Sequence, residues 1–150
     1  MAAPALFEGE RLHALIPQRA PMVMIDVFWE GSDTAAVTGL TVSAGNLFCA
    51  GGRLTEPGLV EHVAQSASAL AGYKAFRRQQ PAPTGYIGEI RKFRIFRLPA
   101  VGESLRTSIQ ILSEIMNVSL LTAETRSGDD VVASGQMKIF IREEDGQALV

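Results

Sequence analysis

A chain of 150 residues with a net charge of −2, 47% apolar and 20% charged residues has the balance of one globular domain, which excludes disordered and collagen-like classes and general nucleic-acid binding. The single cysteine, Cys49, excludes an internal disulfide and a cysteine-rich zinc site. Roughly two-thirds of the unfolded surface is buried at this length, so neither is required, and a reducing compartment is expected. Residues Met1 to Gln18 carry early acidic groups and no apolar run behind a basic start, and no segment approaches about eighteen uninterrupted apolar residues, so a cytoplasmic protein outside the membrane is expected.

In chain order, Glu8 to Ile16 reads as a short helix ending before Pro17, because the residue preceding proline is pushed out of the helical region. VMIDVFWE (Val23 to Glu30) and TAAVTGLTV (Thr34 to Val42) read as strands joined by a GSD turn. The long helix is expected from about Pro57 to Arg78. Thr55 is its N-cap, Pro57 lies in its first turn, and Glu56 and Glu61 stand near the positive end of its dipole, with Lys74, Arg77 and Arg78 at the other end. From Val63 to Tyr73 it carries four alanines, two serines and a glycine but no charge. A surface helix shows one polar face; this one reads as wrapped on all sides.

After Thr84 the pattern is extended. GYIGEIRKFRIFR, ESLRTSIQILSEI, NVSLLTAETR and VVASGQMKIFIRE are four strand candidates, with Leu105, Thr107, Ile109 and Ile111 in period-two spacing. LPAVGE and SGDD supply turns, and the tail EEDGQALV is expected to fray. Two strands, one wrapped helix and four more strands describe an α+β hotdog fold. About six antiparallel strands curl around one long central helix, as a single domain over residues 1–150.

Four blocks resemble the (3R)-hydroxyacyl-[acyl carrier protein] dehydratases. LIPQRAPMVMID (Leu15 to Asp26) is similar to their entrance block, EHVAQ (Glu61 to Gln65) to their E-x-x-A-Q helix signature, and GEIRKFRIFRLPAVGESL (Gly88 to Leu105) to their third motif. The last strand agrees in character. The resemblance implies a hotdog protein acting on 3-hydroxyacyl thioesters of an acyl carrier protein or coenzyme A, in fatty-acid or polyene-type synthesis, with a loop histidine and a helix carboxylate meeting across a dimer interface. Such chemistry needs a base at C2 and an acid at the departing hydroxyl.

Glu61 stands four residues before Gln65, as the family's acidic residue does. The histidine has no counterpart: where the family has G-H-F-P-G, this chain reads NLFCAGGRLTEPG. His62, the substitute nearest in sequence, is the second catalytic candidate, although neighbouring helical residues diverge by about 100°. Gln18, Gly51, Gly52, Gly58 and Gln65 are the expected substrate-binding positions, with amides around Gly58 polarising a thioester carbonyl. Arg91, Lys92, Arg94 and Arg97 are the expected carrier-protein docking cluster. Each has an ordinary alternative: Glu61 complementing the dipole, Gln65 satisfying buried backbone, the glycines forming a turn, and the cations lying on a solvated strand.

Three functions follow from the resemblance. The first is a dehydratase, or one half of one, similar to the accessory dehydratase-like proteins of aryl polyene and flexirubin-type clusters. The second is an acyl-thioester hydrolase using the helix carboxylate, and the third a non-catalytic acyl-binding subunit. No metal or organic cofactor is expected. A homodimer or higher hotdog oligomer is, as is pairing with a second hotdog subunit, because exposed strand edges need cover.

Overall fold

The computed structural model describes residues 4–142. Strand β1 (Phe7–Glu8) and a 3-10 helix (Gly9–Ala14) lead into β2 (Val27–Gly31) and β3 (Ala35–Thr41). The short strands β4 (Cys49–Ala50) and β5 (Arg53–Leu54) precede α1 (Glu56–Arg77), and β6 (Thr84–Ile95), β7 (Ser104–Ile115), β8 (Val118–Ser127) and β9 (Asp130–Arg142) complete the order. Seven strands form one sheet in the order β1-β2-β3-β7-β8-β9-β6, each antiparallel to its neighbours, and β4 and β5 make a separate hairpin.

Alternation drives the curl. Leu105, Thr107 and Ile109 of β7 are buried while their neighbours are exposed, and β8 and the middle of β3 present similar inward rows. These rows close on α1, which touches β2, β3, β6, β7, β8 and β9. Every residue from Gln65 to Leu70 is buried, a run longer than one 3.6-residue turn, so the whole circumference is covered. This is the α+β hotdog architecture. Small side chains permit it: a Cβ at Gly72 would overlap the backbone carbonyl of Leu15, so the segment after the 3-10 helix rests directly on helix backbone.

Three expectations need correction. The first long strand begins at Val27, not Val23, because the backbone of Met22 and Met24 bonds to helix side chains instead of a neighbouring strand. The sheet also has a seventh member, β1, which at two residues is too short for periodicity to reveal, as are β4 and β5. Thr55 occupies the N-cap, but its hydroxyl donates to the Phe48 carbonyl at 2.7 Å and caps nothing. The tail EEDGQALV lies outside the described residues. Among those described, no helix is long and apolar enough to cross a membrane.

Gly72→Ala is expected to lower unfolding free energy by about 2–3 kcal/mol, since backbone rather than a flexible side chain must yield. Gly51→Ala, at φ 61° with open space around it, is expected to cost about 1 kcal/mol from backbone strain alone. Urea denaturation of the two variants checks this ordering.

Candidate active site around Glu61

The first turns of α1 place Glu61, Ala64, Gln65 and Ser68 on one face, since residues three, four and seven apart return to within about 60° of each other. Gln65 is fully buried, and both ends of its amide are engaged. Its oxygen accepts from the Met24 N–H at 2.6 Å; its nitrogen donates to the Met22 carbonyl at 2.8 Å and to Glu61 Oε2 at 2.7 Å. One side chain thereby pins the entrance loop to the helix and orients the carboxylate.

Glu61 is partly exposed and is the residue shared by two adjoining concavities. The larger, about 540 Å³, has apolar walls from Phe48, Pro57, Val60, Ile90 and Phe93, and Glu56 in the first turn of the helix also lines it. The smaller, about 240 Å³, is lined by Gln18, Ala64, Gln65, Ser68, Tyr86 and Ile139 among others. Glu61, Gln65 and Gln18 are therefore brought together on one cavity.

His62 is not brought to them. It is fully buried on the opposite side of the helix rotation, with Nδ1 2.7 Å from the Met24 carbonyl and Nε2 2.7 Å from Thr107 Oγ1, which in turn lies 2.7 Å from Thr125 Oγ1. A carbonyl only accepts, so Nδ1 carries the proton and Nε2 accepts from Thr107. Burial is the main reason its pKa falls from 6.5 to about 4, with the Met24 bond opposing, so the ring is neutral at pH 7. His13, the only other histidine in the sequence, is exposed on the 3-10 helix. Neither imidazole lines a cavity with Glu61.

The remaining expected positions divide. Gly51 and Gly52, at φ 61° and 78°, form the two-residue turn of the β4–β5 hairpin, and neither borders the Glu61 cavities. Gly58 is buried where a Cβ would come within 2.6 Å of Leu54 and 2.7 Å of Phe48; its role here is close packing of helix on hairpin. Arg97 is held by Glu103 at 2.8 Å and Asp130 at 3.4 Å, and Arg91 pairs with Glu89. Arg97, Ser127 and the Ala100 N–H hold the Glu103 carboxyl down to about 2, so this cluster stays ionised as a brace for the turn before β7. Lys92 and Arg94 remain exposed on β6. Thr107, Thr125, Phe48 and Ser68 were not singled out in the sequence. Ser68 alone had a usable signal, its seven-residue spacing from Glu61.

The family model described as ApeP dehydratase matches residues 10–150. The chain belongs to the ApeP-like dehydratase family. Its fold recurs in the dehydratase heterocomplex ApeI:P from Xenorhabdus doucetiae, with a TM-score of 0.82 at 20% identity over 92% of this chain and 94% of that one. An uncharacterized protein from Pyrococcus horikoshii gives 0.67 at 12% identity over 93% and 97% of the two chains. A hypothetical thioesterase from Streptococcus pneumoniae, solved with coenzyme A, gives 0.62 at 8% over 77% and 84%. A comparison with curated protein sequences gives no match. Membership of the ApeP-like family agrees with the hotdog dehydratase-like character expected from EHVAQ and its companion blocks.

The neutrality of His62 has a signed consequence. The unfolded imidazole protonates near pH 6.5 and the folded one only near 4, so within that window the unfolded state binds the extra proton. Stability contributed by His62 is complete above 6.5 and declines by about 3 kcal/mol as pH falls to 4. Denaturation curves should show the advantage of the natural protein over His62→Gln shrinking across this interval. An advantage constant from pH 7 to 4 would show a ring that titrates alike in both states.

Proposed function

We propose that this chain is one half of a dehydratase for 3-hydroxyacyl thioesters, supplying the Glu61 carboxylate and the acyl groove while a second hotdog subunit supplies the histidine. The observation that carries this reading is a carboxylate without a histidine: Glu61 opens into two cavities, one of them shared with Glu56, and neither histidine of the sequence reaches them. Glu61 is assigned as acid for the departing hydroxyl, Gln65 as its positioning residue, and the apolar concavity beside Phe48 as the seat of the thioester arm. His62 is assigned a structural role, because both ring nitrogens are already engaged in the core. Support for an unlike partner comes from ApeI:P, which is a heterocomplex.

Edge strand β6 is the proposed joint. It ends the sheet, and Tyr86, Ile87 and Ile90 on it are 51%, 41% and 44% exposed, an apolar edge of the kind that needs cover. Lys92 and Arg94 are the proposed attractors for an acidic carrier protein or the phosphates of coenzyme A, since Arg91 and Arg97 already have carboxylate partners. The chain is assigned to the cytoplasm as a single hotdog unit with no cofactor.

The test is conversion of a trans-2-enoyl thioester followed by mass spectrometry, which separates hydration from hydrolysis. The chain alone is expected to give neither product. Mixed with a histidine-bearing hotdog subunit it is expected to hydrate the enoyl group, and Glu61→Gln in the mixture to lower the rate by about 10²–10⁴-fold. Full hydration by the chain alone, or an unimpaired Glu61→Gln mixture, overturns the shared-site reading; hydrolysis abolished by Glu61→Gln establishes the thioesterase instead. Sedimentation of the purified chain is expected to give a dimer mass, and a monomer would remove the edge-pairing proposal for the chain on its own.

A further inference from the structure

The wall that β6 gives to the larger Glu61 cavity departs from strand alternation. Ile90, Phe93 and Ile95 all line that cavity, although they are spaced by three residues and then by two. Ile90 pairs with Met137 and Ile95 with Ala133, both buried, so these positions lie on the face turned to the helix. Unbroken alternation from Ile90 would bring Lys92 and Arg94 onto the same face and put two cations in the cavity wall. An inserted residue prevents this. Arg91 pairs with Gln136 and Arg94 with Ser134, so Lys92 and Phe93 together stand opposite Gly135. That is a β-bulge, and Lys92 within it has φ 50°, a left-handed backbone ordinarily held by glycine. The strand opposite makes room for the side chain that follows. A Cβ on Gly135 would come within 2.6 Å of Phe93 Cδ2 and 2.7 Å of its Cα, so Phe93 lies across a gap in β9 that glycine leaves open. Phe93 is half-buried, packed against the core on one side and bordering the cavity on the other. Strained backbone that persists beside a cavity marks the side chain it aims.

We infer that Phe93 is the specificity-determining wall of the Glu61 cavity and sets the width of the acyl group admitted beside the carboxylate. Its ring occupies the space over Gly135 that a bulky acyl group would otherwise enter, and the bulge keeps Lys92 and Arg94 from taking its place. Removing the ring opens an apolar space of aromatic size, and such a space receives an aromatic ring from a ligand. This inference rests on the acyl-thioester reading and adds to it a limit on the substrate's width.

Titration calorimetry with butyryl-pantetheine amide and 3-phenylpropionyl-pantetheine amide, which differ in a terminal methyl or phenyl group, tests the inference. The quantity read is the ratio of phenyl to methyl affinity. Phe93→Ala is expected to raise that ratio about tenfold above the natural protein's, because the ligand ring takes the space of the lost one, and Phe93→Leu about threefold. Leucine keeps most of the packing, so Phe93→Leu reads the shift even where Phe93→Ala fails to fold. A ratio unmoved in the variants that fold overturns the specificity role while leaving the acyl groove intact. Failure of the natural protein and both variants to bind either probe removes the acyl reading itself, and the role of Phe93 with it.

Discussion

Two helix side chains, His62 and Gln65, supply the hydrogen bonds that a neighbouring strand would otherwise give to Met22 and Met24. Buried backbone groups must be paired, and a segment lying across a helix has no ladder to join. The substitution of side chains for a strand lets the segment from Met22 to Asp26 run over the helix before β2 begins. It also fixes the rotation of α1, because His62 reaches through to Thr107 and Thr125 on the sheet. Glu61 inherits its orientation from the same amide that holds the loop.

That coupling separates two adjacent residues into different kinds of chemistry. Glu61 is turned toward open space with one oxygen already directed by Gln65, and His62 is turned into the core and kept neutral. A dehydration needs a proton acceptor at one carbon and a donor at the next. The helix provides carboxylates, Glu61 and Glu56, at the larger cavity and no histidine there. The hairpin in the place of the family's histidine loop offers Phe48 as an apolar wall, and its two glycines make a tight turn away from the cavity. On the proposed reading, the second reacting group comes from a partner subunit of a mixed assembly.

The wrapped helix was legible because its uncharged stretch exceeds a full turn, and β7 and β8 because inward residues alternate along them. Glu61 with Gln65 was legible through four-residue spacing. The start of β2 was not: Val23 to Ile25 has strand-like composition, and the Met24 backbone within it bonds to His62 and Gln65 instead of a neighbouring strand. Arg97 looked like a docking cation because its partners, Glu103 and Asp130, sit on other elements. Thr55 looked like a cap because nothing in the sequence shows that the Phe48 carbonyl lies within reach.

The contact between Gly72 and the Leu15 backbone has a bearing on how such a groove diversifies. Where helix meets main chain without an intervening side chain, neither can retreat, so the helix whose earlier turns line the Glu61 cavities is fixed in position at Gly72. The opposite wall is β6, irregular in register near Gly88 and again between Arg91 and Arg94, and bonded to the sheet along one edge only. Lineages that come to accept bulkier ligands have little freedom along the helix. Their innovations will accumulate on β6, the same strand that a partner subunit is proposed to cover, so that substrate range and choice of partner evolve together.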